Sequence, residues 1–382
     1  MPKSYDIAVL GATAAGYVAA ITLAKKGRKV IVLSAPGSAT ESPLADWIPA
    51  DVVKACPVLG SLRSSGMEAP FRQVHFHSAD LEQQAAYRSR TTAGYVLRRA
   101  NLLSAFAKAA RRAGVDRAEL IGASAVELQE NAVAVRAKRP CQAALLLIAQ
   151  DRPAEVIARL ALPARSVPVG QIAVCGLDIP AGRARLDKAL HVVAWPGGRE
   201  RLGMFFGAGS VLHVRVLSIA APASGRTAGP AKRESEGQLI EALGQLVARL
   251  QGGGLLPARL SLSRATAAIW RPPGGVALEL ETHLAKRALL IGTAGGFASA
   301  MSGQTLDASI RSALVAADVV DRALRGKRLQ EALAEYKRKW RNKLADRIRA
   351  PGTSLKMLLP IVFANKTMAN RFARALLYGE SL

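Results

Sequence analysis

Residues 5–34, YDIAVLGATAAGYVAAITLAKKGRKVIVLS, change hydrophobic period twice within thirty positions, and few folds accommodate that. The apolar run 7–10 feeds Gly11. Gly16 then opens a segment whose Val18, Ile21 and Leu23 share one helical face, and 30–33 is a second apolar run. Two short buried strands joined through a glycine turn and a helix predict a β-α-β unit. Such a unit binds a dinucleotide when three glycines follow the first strand. The first makes the tight turn, the second lets pyrophosphate approach the backbone, and the third lets helix and strand pack, while the helix N-terminus attracts the phosphates. Gly11 and Gly16 fill the first and third places, but Thr13 fills the second. Ser34 stands where an acidic side chain would bind the ribose hydroxyls. The dinucleotide-binding candidates here are therefore Gly11, Thr13, Ala14, Ala15, Gly16 and Ser34.

Composition bounds the class. The 382 residues are half hydrophobic, enough for a large core in two domains or one interleaved domain. Cys56, Cys141 and Cys175 are far apart, which predicts reduced thiols in a cytoplasm-like compartment. The N-terminus has no apolar signal core, and the apolar stretches 143–149 and 355–364 fall short of the roughly 20 residues that span a bilayer. A formal charge of +25 suits an acidic partner surface, but the basic residues are spread along the chain and aromatics are only 5%. Without a stacking platform or a nucleic-acid motif, a generally cationic surface is expected rather than specific nucleic-acid binding. The five histidines have no metal-ligand spacing, and His75 and His77 fall on one face of a predicted strand, where a structural role is expected. No nucleophile elbow is present.

Further along, 35–49 reads as a loop, 71–77 as a strand and 100–113 as a helix ended by Gly114. Residues 125–136 alternate like a hairpin, and 143–149 is a buried strand. Strand-like runs punctuated by Gly and Pro fill 166–218, 221–232 is a linker, 238–250 a helix, and 267–280 returns through strands. Residues 287–291 form another buried strand, and everything after Ser302 is helical, with a break at Pro351 and Gly352.

Four segments resemble, in order, the flavoprotein superfamily of geranylgeranyl reductases, FAD-dependent aromatic hydroxylases (class A monooxygenases) and flavin halogenases. The first is the unit described above. The second is LRRANLLSAFAKAARRAGV, where Arg99, Leu102, Phe106, Ala110 and Gly114 occupy the family's positions. The third is LLLIAQDRPAEV, which keeps Asp151 but carries Ala149, Arg152 and Glu155 in place of two glycines and a serine. The fourth, RALLIGTAGGFASAMSGQTLDASIRSALVAADVV, matches without a gap through Gly292, Ala294, Gly296, Phe297 and Gly303. Glu41 and Ser42 are similar to a further pair found near the flavin.

The resemblance implies an α/β fold, with a discontinuous Rossmann-like FAD-binding domain, an inserted and mostly antiparallel β-sheet substrate domain, and a C-terminal helical extension. The FAD-binding parts would be 1–70, 92–165 and 281–328, the substrate domain 71–91 and 166–280, and the basic helical region 329–382. It places Arg99 near the FAD pyrophosphate, Thr293 in place of the aspartate that binds the ribityl chain, and Gly303, Gln304 and Thr305 in the turn beside the isoalloxazine. With Gly292, these complete the cofactor candidates. The implied activity is an FAD-dependent oxidoreductase, reductase-like or monooxygenase-like, acting on a hydrophobic small molecule with NADH or NADPH as a reductant. Because Thr13, Ser34, Thr293 and Thr305 all depart from the family pattern at contact positions, a second expectation stands beside it. This is a non-catalytic relative without flavin that binds a ligand, membrane or partner through the same cleft. The basic C-terminal helices, with Trp340 at helical spacing, admit packing on the FAD domain or peripheral contact with an anionic membrane.

Overall fold

The computed structural model describes residues 3–34, 45–120, 125–138, 140–151, 154–162, 172–180, 188–197, 200–208, 211–219, 234–258 and 267–382. The main sheet has parallel pairing through its centre, in the order Ala288–Leu290, Cys141–Ile148, Lys3–Leu10, Val30–Ser34 and Asp116–Glu119. Leu284–Ala285 closes one edge, and the hairpin Val126–Leu128/Val133–Val135 extends from Cys141–Ile148. A parallel sheet must be covered on both faces, so its central strands are near-continuously apolar where they pair, while the edge strand Asp116–Glu119 is polar and half exposed. Thus Ile7 and Val9 enter one core with helices Ala14–Lys25, Arg99–Arg112 and Leu306–Arg325, while Ala8 and Leu10 enter another beneath the hairpin.

A second sheet of seven strands runs in the order Ala268–Trp270, Ile172–Pro180, Val211–Ile219, Arg201–Ala208, Ala189–Ala194, Gln73–His77 and Gln84–Arg88. It is antiparallel except where Ala189–Ala194 meets Gln73–His77. Its outer face, with Cys175, Val193, Phe205 and Val216, is covered by the helix Glu236–Gly252. Ser235 caps that helix reciprocally with Gln238, which fixes where it begins. The inner face, with Val174, Met204, Phe206 and Leu217, looks toward the main domain.

Three sequence expectations need correction. Within the expected loop 35–49, Ala45–Pro49 is a buried strand paired with Gly94–Arg98, an environment supplied by tertiary pairing that its Asp and Pro content conceals. The expected strand 71–77 is divided at Arg72 between two sheets. In 267–280 only Ala268–Trp270 is a strand, and Pro272 and Pro273 are followed by a short 3₁₀ turn at Val276–Leu278. The linker 221–232, Glu41, Ser42 and Arg152 lie outside the described residues.

The C-terminal helices pack on both parts. Leu329–Ile348 buries Leu333, Tyr336, Trp340, Leu344 and Ile348 in the main core. Leu355–Ala364 and Lys366–Tyr378 close the inner cluster of the second sheet, where Phe372 meets Phe76 edge-on at 5.4 Å. His283 is wedged between Phe297, Tyr336 and Trp340, and its Nε2 lies 2.9 Å from the Gly295 carbonyl. That geometry suits a neutral imidazole donating from Nε2. Burial pushes the His283 pKa down to about 4 from the ordinary 6.5. Below pH 6.5 the unfolded chain takes up this proton before the folded one does. The stability contributed by neutral His283 is therefore complete above 6.5 and lost as pH falls toward 4, on the order of 3 kcal/mol in all. We expect His283→Phe to flatten this part of the stability profile in urea titrations between pH 7 and 4. An unchanged acid slope in the variant would contradict the assignment.

Candidate functional site

The site is built where the strand ends of the main sheet approach the inner face of the second sheet. At the first turn, Gly11 has φ +120°, and a Cβ there would lie 2.8 Å from the Ala149 carbonyl carbon. A Cβ on Gly16 would lie 2.1 Å from the Gly11 carbonyl oxygen. Both glycines are thus required by backbone packing, independently of any ligand. Thr13 is the N-cap of the following helix. Its hydroxyl donates to the Ala149 carbonyl (2.8 Å) and accepts from the Gly16 N–H (3.2 Å). One of the N–H groups that a phosphate would use at a helix start is therefore already satisfied. Ala14 and Ala15 are buried, and Ser34, at the end of its strand, is half-buried.

The last strand of the main sheet delivers the second group. Gly292, with φ +59°, donates its N–H to Ser312 Oγ (2.9 Å), and a Cβ on it would collide with Ala15 at 2.7 Å. Thr293 donates its hydroxyl to Asp151 Oδ1 (2.6 Å). The structure therefore brings together Gly11, Thr13, Ala15, Gly16, Gly292, Thr293 and Asp151 at adjoining strand ends.

The third group is a buried polar network. Arg99, 3% exposed, donates from Nη2 to Asp46 Oδ2 (2.5 Å) and to Thr305 Oγ1 (2.7 Å). Its guanidinium lies 4.6 Å from the centre of the Trp270 ring, which belongs to the second sheet. Asp46 Oδ1 accepts from the Trp47 N–H (2.8 Å) and from Arg215 Nη1 (3.2 Å). Burial draws the Arg215 pKa below the ordinary arginine value, with Asp46 opposing that shift. Gln304 donates to the Trp47 carbonyl (2.7 Å) and accepts from the Asp307 N–H (3.0 Å), so it caps the start of Leu306–Arg325. Gly303, φ +65°, is pressed against the second sheet, where a Cβ would lie 2.8 Å from Leu217 and 3.1–3.2 Å from Ile172 and Val174.

Sequence reasoning singled out Arg99 but missed Asp46, Trp270 and Arg215. Asp46 lies 53 positions before Arg99, in a segment that reads locally as a loop. Arg215 interrupts an apolar strand and carries no motif around it.

The resulting fold is one that solved flavoproteins share. No family model and no curated protein sequence matches the chain. Among solved structures it is similar to a geranylgeranyl bacteriochlorophyll reductase-like protein from Thermoplasma acidophilum (17% identity, TM-score 0.76, covering 99% of this chain and 97% of that one). It is also similar to p-nitrophenol 4-monooxygenase PnpA from Pseudomonas putida DLL-E4 (13%, 0.64, 98% and 97%). CtdE, solved in complex with FAD, is a third (13%, 0.62, 98% and 99%). At these identities the likeness shows the fold alone.

FAD would need free donors at the helix starts, acceptors for its sugar hydroxyls, and room beside the 299–305 turn. Thr13 and Gln304 cap those helix starts, and Thr293 offers its hydroxyl to Asp151. Arg99 is engaged by Asp46, Thr305 and Trp270, and Gly303 touches the second sheet directly. In this arrangement the isoalloxazine end does not fit a flavin. The same network makes a stability prediction. Removing the charge of Asp46 leaves Arg215 buried without an acidic partner among the described residues. We expect Asp46→Asn to lower unfolding free energy by about 3–5 kcal/mol in chemical denaturation. A loss below about 1 kcal/mol would show that the pair is solvated.

Proposed function

We propose that this chain is a flavoprotein-fold protein that binds a small ligand in the cleft between its two sheets without holding FAD there. The observation that carries this reading is the Asp46–Arg99–Thr305 network with Trp270 stacked on it. It occupies the side chain that the resemblance assigns to pyrophosphate and the turn that it assigns to the isoalloxazine. The apolar inner face of the second sheet then serves as the ligand's wall. Purified full-length protein should be colourless, and FAD titration should produce no quenching of flavin fluorescence at micromolar concentrations. Stoichiometric FAD in the isolated protein would overturn the reading.

A second reading, an FAD-dependent oxidoreductase acting on a hydrophobic small molecule with NAD(P)H as reductant, is favoured by the fold of the solved relatives. The half-buried Ser34, at the position the resemblance assigns to the ribose hydroxyls, also favours it. The same flavin measurement decides between the two.

Contact with an anionic membrane belongs to the proposal as well. Among the described residues no helix is long and apolar enough to cross a bilayer. However, Met357 (68% exposed) and Ile361 (45%) stand one turn apart on Leu355–Ala364, and Arg349, Lys366 and Arg371 are exposed on flanking segments. Apolar side chains beside basic ones suit a lipid surface, where each basic residue contributes about 1 kcal/mol. The protein should float with phosphatidylserine-containing vesicles in a salt-sensitive manner, and Met357→Glu/Ile361→Glu should cut the floated fraction severalfold. Equal flotation of the double variant would remove this surface from the proposal.

A further inference from the structure

We propose that the groove among the helices Ala50–Ala55, Leu306–Arg325 and Leu329–Ile348 is a second ligand site. It takes an amphiphilic anion, with the charged group at Lys343 and the apolar chain along Leu314, Val315 and Leu344. None of the residues lining it belongs to the Asp46–Arg99–Thr305 network or to the second sheet, so the inference stands apart from the cleft reading above.

Room and access are both present. The three helices border a cavity of about 380 Å³, within the range of roughly 300–1,000 Å³ that small-molecule sites occupy. It is open to solvent, since Ala55, Asp318 and Lys343 on its lining are exposed. Along Leu306–Arg325 the lining falls at Arg311, Leu314, Val315 and Asp318, a spacing that puts all four on one helical face. Arg311 and Asp318 are thus two turns apart, about 10 Å at roughly 1.5 Å per residue. Between them Leu314 is only half-buried, and with Val315 and Leu344 it gives the groove an apolar floor.

The charges along the groove are not equivalent. Arg311 and Arg347 form a closed ring with two carboxylates. Asp307 accepts from Arg311 Nε (2.6 Å) and Arg347 Nη1 (2.8 Å), while Asp51 Oδ2 accepts from Arg347 Nη2 and lies 2.9 Å from Arg311 Nη2. Two guanidiniums and two carboxylates are neutral together. Asp318 is matched by Lys26 Nζ, 2.5 Å away. Lys343 has no carboxylate partner among the described residues, so its ammonium is the uncompensated charge of the groove. It stands one helical turn from Arg347 and directly before Leu344, where charge and apolar floor meet. A compact ammonium on a flexible stem suits a carboxylate or phosphate as a point charge. A hydrated inorganic anion would leave the floor unused, and a neutral chain would leave Lys343 unused. An anion carrying an alkyl chain about two helical turns long uses both.

The test uses the full-length chain in calorimetric titration and thermal unfolding, at constant ionic strength set with sodium chloride. The probes are octanoate, octyl phosphate, inorganic phosphate and octan-1-ol. Octanoate or octyl phosphate should bind and raise Tm, and whichever binds more tightly identifies the headgroup. Octan-1-ol and inorganic phosphate should bind at least about tenfold more weakly. Ala55→Trp, which fills the groove from its exposed edge and removes no ion pair, should weaken binding at least about tenfold. Lys343→Gln should weaken it at least about fivefold, and Lys343→Arg should bind as the parent does. Lys138→Gln, at an exposed position outside the groove, reads the general attraction of anions to a chain of charge +25 and should leave affinity unchanged. Each variant alters an exposed side chain and should stay folded by circular dichroism. The proposal is overturned if neither amphiphilic anion binds, or if the alcohol or inorganic phosphate binds equally well. It is also overturned if Ala55→Trp or Lys343→Gln binds as the parent does, or if Lys138→Gln loses as much affinity as Lys343→Gln.

Discussion

The Asp46–Arg99 ion pair is the centre of a buried polar network to which several parts of this molecule contribute. Asp46 comes from the small strand Ala45–Pro49, Arg99 from the start of Arg99–Arg112, Thr305 from the start of Leu306–Arg325, and Arg215 and Trp270 from the second sheet. Burying such a group carries a desolvation penalty comparable to the attraction it gains, so the pair adds little net stability over an apolar replacement. Its consequence is geometric. A planar guanidinium with fixed donor directions holds the strand, helix and sheet in one relative position, which a cluster of leucines would not specify.

Two kinds of constraint act on the turns around this network, and they separate cleanly here. Gly11, Gly16, Gly292 and Gly303 are each enforced by a neighbour that a Cβ would strike, so the fold demands them whatever is bound. Thr13, Ser34, Thr293, Gln304 and Thr305 are free of that demand, since other side chains could occupy the same backbone. In this chain four of those side chains turn inward to satisfy protein groups: Thr13 a carbonyl and an N–H, Thr293 a carboxylate, Gln304 a helix start, Thr305 a guanidinium.

The same separation explains what was legible in the sequence. The β-α-β unit, the strands Cys141–Ile148 and Ala288–Leu290, and the long C-terminal helices follow from apolar periodicity and glycine placement, which are local signals. The strand Ala45–Pro49 was not legible, because Asp and Pro mark turns locally and only its pairing with Gly94–Arg98 makes it a strand. The importance of Arg99 was visible from its place in a recognisable pattern, but its partners were not. Its hydrogen bonds span 53 and 206 positions of sequence, and no window of residues contains them. Arg215 and His213 were hidden for the opposite reason, being isolated polar residues within an apolar strand that predicts only burial.

The two faces of the second sheet show why buried polarity must be judged by its partners rather than its presence. On the outer face His77 Nε2 and His191 Nδ1 share a hydrogen bond of 3.0 Å, and His75 is held by Gln73 and Gln84. The His191 ring also stacks on Phe205 at 4.2 Å. His77 and His191 thus satisfy each other within the core, while the half-buried His75 is held by the two glutamines. On the inner face, His213 and Arg215 are as deeply buried, but each keeps hydrogen-bonding capacity that the described residues do not use. Buried polar atoms without partners are rare in folded proteins because each forfeits its hydration without compensation. His213 and Arg215 stand on successive positions of one strand face, so that face carries buried polarity that its described neighbours leave partly unmatched.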